Sequence, residues 1–161
     1  MSPNDTDHHV AQFNFGILVH DWDTPRIAEF QDNLDRVNAI AMRSPGYIWH
    51  MDAEAMEAAQ NDADGPLGAN PRLASTLSVW ESGKSLESFV HKTVHGNFVK
   101  RGDKWFEKHK GPSYVIWPIE AGKTPTIKEA VERLEMLGVN GPTKLAYDFD
   151  WMRANANRAE V

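Results

Sequence analysis

Two histidines four residues apart form the first pattern that could carry chemistry. His91 and His95 lie in a segment with helical periodicity, where this spacing places both side chains on one side of the helix. The spacing suits two ligands of a metal ion, and His50, His109 or Glu107 could supply a third. Both histidines also lie at the edge of an apolar stripe, as ordinary boundary residues do, and we predict no metal site. One of the two could instead act as a general base or an iron ligand at a cavity mouth, because imidazole exchanges protons near neutral pH.

Asn38 is a polar residue on an apolar helical face. It falls in the same stripe as Leu34 and Ala41, which we expect to face a sheet. A buried amide without a hydrogen-bond partner costs about 1–3 kcal/mol. Asn38 therefore either binds a ligand in a cavity between helix and sheet or is satisfied by a nearby backbone group.

Tryptophan is frequent, with six in 161 residues. Trp80, at the end of a predicted strand, and Trp105, after the histidine-bearing helix, could wall an aromatic-lined pocket. Trp49 and Trp117 could do the same, and the alternative for each is core filling or dimer packing. Further polar candidates are Tyr47, Tyr114 and Arg101.

The bulk composition excludes several classes of function. The net charge of −6 and the lack of a basic stripe argue against nucleic-acid binding. The chain has no cysteine, which excludes disulfides, thiolate metal sites and cysteine nucleophiles. No apolar run reaches membrane-spanning length, and the first residues lack the order of a secretion signal. We therefore expect a cytoplasmic protein whose partner is a small-molecule ligand, not a nucleic acid or a membrane.

The elements that must position these residues form a strand–helix–strand unit that occurs twice. Apolar alternation predicts four strands, at 10–19, 46–51, 73–81 and 113–119. An amphipathic helix follows the first and the third strand. This order predicts an α+β fold, a ferredoxin-like βαββαβ sheet with helices on one face and an extra C-terminal helix. In strand one, Phe13 and Phe15 should lie on one face and Gln12 and Asn14 on the other.

Domain boundaries follow from composition and turn signals. Residues 1–9 are predicted to be a disordered tail, 10–150 the folded domain and 151–161 a C-terminal extension. Residues 53–72 are rich in Ala, Asp, Asn, Gly and Pro, which predicts a surface loop or a lid.

Capping signals predict where three helices begin or end. The sequence Ser44-Pro45-Gly46 should stop the first helix, and Ser85 can cap the next. Thr126 with Glu129 makes a capping box for the last helix, which Gly138 should end.

The face of the sheet opposite the two helices is also predicted to be apolar. Leu18 lies on this side of strand one, and the other strands carry apolar residues on both sides. An open apolar face needs a partner, and pairing of two sheets is the simplest arrangement. We therefore predict a homodimer.

The segment LSVWESGKSLESFVHKTVH resembles the strand-to-helix passage of the antibiotic-biosynthesis monooxygenase-like dimeric α+β barrels. Together with AQFNFGILV, FQDNLDRVNAIAMRSPGYIW and the stretch from KWFEKHKGPSYVIWPI to VERLEMLGVNGPT, it is similar to one bacterial domain family of unknown function within that superfamily. The resemblance covers about residues 10–150. It implies the dimeric α+β barrel fold but no reaction, since the fold hosts many chemistries.

The resemblance also points to particular residues. In the haem-degrading branch the working set is an Asn on strand one, a Trp on the helix after strand three and a His further along. Asn14 corresponds to the first, Phe89 stands where the tryptophan would be, and His95 lies about one turn before the histidine position. His95 matches better than His91, and the departures put haem degradation in doubt.

The residues and the resemblance together predict a cofactor-independent monooxygenase-type oxidoreductase. An apolar or aromatic substrate would lie between sheet and helices, where His95 would accept a proton and Asn38 and Asn14 would stabilise an oxyanion. The predicted substrate-binding residues are Trp80, Trp105, Trp49, Phe89 and His91. Two alternatives stay open, a non-catalytic ligand-binding dimer and a haem-binding protein with His95 or His91 on the iron.

Overall fold

A computed structural model describes residues 8–18, 25, 36–62, 64–65, 67–68, 73–94 and 111–155. Its sheet has four strands, which are β1 (His8–Ile17), β2 (Tyr47–His50), β3 (Leu73–Trp80) and β4 (Tyr114–Glu120). They lie in the order β2-β3-β1-β4, and all neighbours are antiparallel. This is the ferredoxin-like order, with the first and third strands in the centre, and it confirms the predicted fold class.

Five helical segments accompany the sheet in the described part of the chain. They are α1 (residues 36–42), α2 (Ala53–Gln60), α3 (Gly83–Val94), α4 (Ile127–Asn140) and α5 (Phe149–Ala154). Segment α1 leads into β2, and α3 follows β3, as the repeated strand–helix–strand unit requires. Within the described residues, no helix has the length and apolar character needed to cross a membrane.

The two faces of the sheet have separate coverings. The face that carries Ala11, Phe13, Leu77, Val115 and Trp117 packs against α2 and α4, and we call it the core face. The opposite face carries the even-numbered residues of β1 and β3. Its apolar residues, Val10, Trp80 and Ile116 among them, pack with α1, α3 and α5, and we call it the crossover face.

The helices α1 and α3 share one face of the sheet, as predicted, but the other face is not open, because the core face is buried within a single chain. Phe13, Leu77 and Trp117 are at most 1% exposed. Burial of each side chain of this size stabilises the fold by roughly 1.5–3 kcal/mol. The face predicted to be open, on the side of the even-numbered residues of β1, is the crossover face and carries α1, α3 and α5, while α2 and α4 cover the opposite face. The homodimer therefore stays a prediction without the support of an open apolar face.

Helix α2 corrects the prediction of a loop or lid over 53–72. Asp52 begins the helix, because its carboxylate accepts a hydrogen bond from the Ala55 backbone N–H at 2.8 Å. Met56 and Gln60 are buried, and Ser75 Oγ of β3 donates to Gln60 Oε1 at 2.8 Å. The run AEAMEAAQ consists largely of strong helix formers, which explains a helix where overall composition indicated a loop.

Two of the predicted helix caps need correction. Thr126 caps α4 as predicted, since its Oγ1 accepts from the Glu129 N–H at 3.1 Å. The helix continues past Gly138 to Asn140, and Gly141 follows in the left-handed region at φ 71°. Ser82, not Ser85, begins α3, because Ser82 Oγ accepts from the Ser85 N–H at 3.1 Å.

The first and last elements of the folded domain do not coincide with the predicted domain boundaries. His8 and His9 belong to β1 and not to a disordered tail, because β4 extends far enough to pair Glu120 and Ile119 with them. At the other end, the predicted boundary at residue 150 falls inside α5.

The segment after α4 wraps over the edge of the sheet. Tyr147 and Ile116 of β4 exchange two backbone hydrogen bonds of 2.8 Å. Tyr147, Phe149 and Trp151 all pack in the apolar cluster on the crossover face. The pairing covers part of the outer edge of β4, which would otherwise present unpaired backbone groups.

Tyr147 should make stability depend on alkaline pH. Burial raises its pKa from 10.0 to about 12. The pKa of Tyr147 is higher in the folded protein than in the unfolded chain. The stability that the neutral, buried phenol contributes is therefore complete below pH 10 and is lost as the pH rises towards 12. At pH 11.5 the loss from Tyr147 should be about 2 kcal/mol, at 1.36 kcal/mol per pKa unit. Urea unfolding at pH 8 and at pH 11.5 measures it, and Tyr147→Phe should reduce the difference by about that amount. An equal loss in the variant would contradict this prediction.

Candidate functional site

A row of polar side chains crosses three strands on the otherwise apolar crossover face. In the register, Gln12 of β1 lies opposite Ser78 of β3, and Asn14 lies opposite Thr76. His50 of β2 is the partner of Ser78 on its other side. We call these five residues the polar patch. Directly opposed residues of antiparallel strands project from the same face, with Cβ atoms about 4.5–5.5 Å apart.

Gln12 holds the polar patch together. Its Nε2 donates to Ser78 Oγ at 2.7 Å and to Thr76 Oγ1 at 3.2 Å, while its Oε1 accepts from Asn14 Nδ2 at 2.9 Å. Gln12 is only 8% exposed, so its amide depends on these partners. Asn14, in contrast, is exposed and lies at the open end of the network.

Ser78 connects the polar patch to an aromatic wall. Its Oγ accepts a second hydrogen bond from Trp80 Nε1 at 3.0 Å. The buried Trp80 ring stacks on Phe89 of α3 with a centroid distance of 4.9 Å, and Tyr47 meets it edge-on at 5.8 Å. Because both lone pairs of Ser78 Oγ accept from N–H donors, its own proton is available to another acceptor.

A β-bulge brings Tyr47 and His50 to the same face. Residues three apart in a regular strand point to opposite faces, but the pairing of β2 with β3 shifts between Tyr47 and Trp49. Tyr47 Oη and His50 Nδ1 are consequently 2.6 Å apart. Burial raises the pKa of Tyr47 above its usual value, and the hydrogen bond with His50 opposes this effect.

The polar patch lies in an uncharged part of the sheet. Strands β1, β2 and β3 contain no Asp, Glu, Lys or Arg. Tyr114 of β4 is the cross-strand neighbour of Asn14, and burial raises its pKa. Within the residues that the structure describes, no group of three His, Asp or Glu side chains could hold a metal ion. The arrangement suits a neutral ligand that exchanges hydrogen bonds with amides and hydroxyls.

Comparison with known proteins gives the family of the chain. Residues 9–161 match the family described as Domain of unknown function (DUF3291). The chain belongs to the DUF3291 family. This confirms the resemblance to a domain family of unknown function, and no curated protein matches the chain.

Two solved structures are similar to this DUF3291 protein at low identity. SnoaB, a cofactor-independent oxygenase from Streptomyces nogalater, is 13% identical, with a TM-score of 0.44 over 73% of this chain and 96% of that chain. A protein of unknown function from Nitrosomonas europaea is 12% identical, with a TM-score of 0.46 over 75% of this chain and 98% of that chain.

The structure of the DUF3291 protein brings only some of the predicted site residues together. Asn14 joins the polar patch, and Trp80 and Phe89 form the aromatic wall beside it. Trp80 is fully buried, so its ring packs inside the aromatic wall and has no solvent-exposed surface. His91 lies exposed on α3.

The remaining predicted residues lie elsewhere. Asn38 is half-buried on α1, one turn before the buried Ala41, and its role stays a prediction. Trp49 packs into the core face, because the bulge turns it away from Tyr47, so it cannot line the same site. His95 and Trp105 lie outside the described residues.

The sequence interpretation missed Gln12, Thr76 and Ser78 as functional candidates. The available signal was polarity at alternate positions of two central strands, at 12 and 14 and again at 76 and 78. Such alternation is typical of a face that meets water. Only the register showed that these positions meet one another.

Apolar side chains at positions 12 and 76 should replace part of the Gln12 network with little net loss of stability. Gln12→Met alone removes the donor to the hydroxyl groups of Thr76 and Ser78 and should lower the free energy of unfolding by about 1–3 kcal/mol. Gln12→Met with Thr76→Val should recover most of that loss, since Ser78 keeps Trp80 as its partner. Urea unfolding measures both variants. A double variant less stable than Gln12→Met would indicate a structural role.

Proposed function

We propose that this DUF3291 protein is a small-molecule enzyme, a cofactor-independent monooxygenase-type oxidoreductase that acts on a neutral aromatic substrate at the crossover face. The observation that carries the proposal is the hydrogen-bonded polar patch within an apolar, uncharged face. Buried polar groups cost stability unless they are paired, so a patch of apolar residues would serve packing equally well. A binding role explains why polar residues occupy these positions.

The polar patch offers hydrogen bonds to one oxygen atom of a substrate. Gln12 uses one lone pair of Thr76 Oγ1, and Gln12 and Trp80 use both lone pairs of Ser78 Oγ, which leaves both hydroxyl protons for a ligand. Asn14 is exposed and adds its amide. Hydroxyl and amide donors fixed by neighbours stabilise a developing oxyanion because they need no reorganisation. A phenol or a ring ketone has an oxygen of this kind.

The proposed reaction converts a ring CH₂ next to a conjugated system into a ketone. A base takes one proton, and the carbanion, stabilised as an enolate, transfers electrons to dioxygen and forms a C–O bond. The peroxide is then protonated, its O–O bond breaks, and water leaves as the second hydrogen is lost from carbon. The substrate supplies all the electrons, so CH₂ and O₂ give C=O and H₂O.

Nothing in the described part of the chain favours the haem alternative. It requires His91 or His95 on the iron. His91 is exposed on α3, and His95 lies outside the described residues. The prediction that His95 is the base also stays open.

Oxygen uptake with a panel of hydroxyanthrones and naphthols tests the proposal. Asn14→Ala should lower kcat/KM by about 5- to 150-fold, since it removes a substrate hydrogen bond worth about 1–3 kcal/mol. Because Asn14 also donates to the buried Gln12 Oε1, urea unfolding of the variant is measured alongside. Asn140→Ala, at the exposed end of α4, is the matched control and should leave kcat/KM unchanged.

Three outcomes would contradict the proposed function. Equal values of kcat/KM for Asn14→Ala and the parent protein would show that the polar patch takes no part in the reaction. Oxygen uptake by no substrate of the panel rejects the monooxygenase activity. Binding of these compounds without turnover identifies the protein as a ligand-binding module instead.

A further inference from the structure

We propose that His50, oriented by Tyr47, is the proton acceptor of the crossover-face site and takes its proton from a phenolic or enolisable substrate. The inference rests on the proposed function, since it assigns the base of the same reaction. It differs from the sequence-based interpretation, which placed this role on His95. Three observations carry it.

The first observation is the bulge in β2. A regular strand would place His50 on the face opposite Tyr47, towards α2 and α4. The shifted pairing with β3 places both residues on the crossover face instead. β-Bulges change the direction in which a strand's side chains point, and they are frequent beside active sites.

The second observation is the place of His50 in the polar patch. It is the strand partner of Ser78, which is hydrogen-bonded to Gln12, which in turn holds Asn14. Direct cross-strand partners have Cβ atoms about 4.5–5.5 Å apart. An oxygen bound by the Ser78 and Thr76 hydroxyls therefore lies within reach of the imidazole.

The third observation is the chemistry of the described side chains on this face. Among the five residues of the polar patch, His50 has the side chain of the type that most often serves as a general base, and it lies beside the phenol of Tyr47. Its Nδ1 is held 2.6 Å from Tyr47 Oη. With the proton on Nδ1, this N–H donates to Tyr47 Oη and leaves the lone pair of Nε2 free.

With His50 as the base, every proton in the proposed reaction is accounted for. Nε2 accepts the substrate proton, and the imidazolium keeps Nδ1–H donating to Tyr47 Oη. The substrate anion is held by the Ser78 and Thr76 hydroxyls. The imidazolium returns its proton to the peroxide that forms with dioxygen, and His50 is neutral again when water leaves. Tyr47 contacts His50 and the Trp80 ring but not the substrate in this scheme, and it is a positioning residue.

A chromogenic phenol, 4-nitrophenol, tests the inference directly, because it is partly ionised at neutral pH and its phenolate and phenol absorb at different wavelengths. The parent protein at neutral pH should bind the probe with a larger phenolate fraction than the free probe shows. His50→Gln should lower the ratio of phenolate to phenol in the bound probe by about tenfold or more while the Kd changes little. His50→Asn is a second replacement, and His8→Gln, at an exposed position of β1, is the matched control.

The same variants are measured by oxygen uptake. His50→Gln should lower kcat by about 100-fold or more, the usual contribution of a general base. Tyr47→Phe should lower kcat and the phenolate ratio by a smaller factor and leave KM nearly unchanged, because it only loosens the imidazole.

The outcomes separate the inference from the proposed function. A phenolate signal that depends on His50 in a protein without oxygen uptake supports the inference and rejects the oxidation. Oxygen uptake that His50→Gln leaves intact, or that only His95→Gln abolishes, overturns the inference and leaves the proposed function standing. A probe that does not bind, or that is equally ionised in His50→Gln, also overturns it.

Discussion

The amide of Gln12, buried in the centre of the sheet, sets the chemistry of the whole crossover face. An amide that is only 8% exposed must find partners for its donors and its acceptor. Its donors are satisfied by hydroxyls directly across the strand pair, at Ser78 and diagonally at Thr76, and its acceptor by Asn14 two residues along β1. One buried side chain therefore explains why polar residues stand at three further positions. Their spare hydrogen-bonding groups are the ones that the proposed ligand would use.

The two faces of the sheet differ in the side chains that they contain. The core face is closed by α2 and α4 and contains fully buried apolar residues such as Trp117. The crossover face combines an aromatic wall, in which Trp80 stacks on Phe89, with the polar patch. Because the core face supplies the burial that the fold requires, the other face can hold polar groups at some cost in stability. Successive residues of the same strands point to opposite faces, so each strand contributes different side chains to the core face and to the crossover face.

Much of the architecture could be predicted from the sequence, because alternation and capping are local signals. The alternation of Phe13 and Phe15 with Gln12 and Asn14 separated the two faces of β1 correctly, and Thr126 does cap α4. The prediction that α1 and α3 lie opposite the even-numbered residues of β1 was wrong, because they pack on that face. Helix α2 was missed because its short helical run lies within a segment of loop-like composition. Trp49 was predicted to line the site but lies on the core face, because a bulge shifts the alternation by one residue and no local signal in β2 marks the bulge. The polar patch needed the register between β1 and β3, a long-range property that sequence alone did not give.

The most direct test of the account is an NMR titration with a neutral polycyclic phenol, observing the side-chain amide groups. Gln12 and Asn14 belong to the polar patch, whereas Gln60 is a buried amide of the core face and serves as the internal control. The account predicts saturable shifts of the Gln12 and Asn14 amide resonances and none for Gln60. Binding that leaves Gln12 and Asn14 unshifted, or that moves Gln60 instead, would contradict a ligand site on the crossover face.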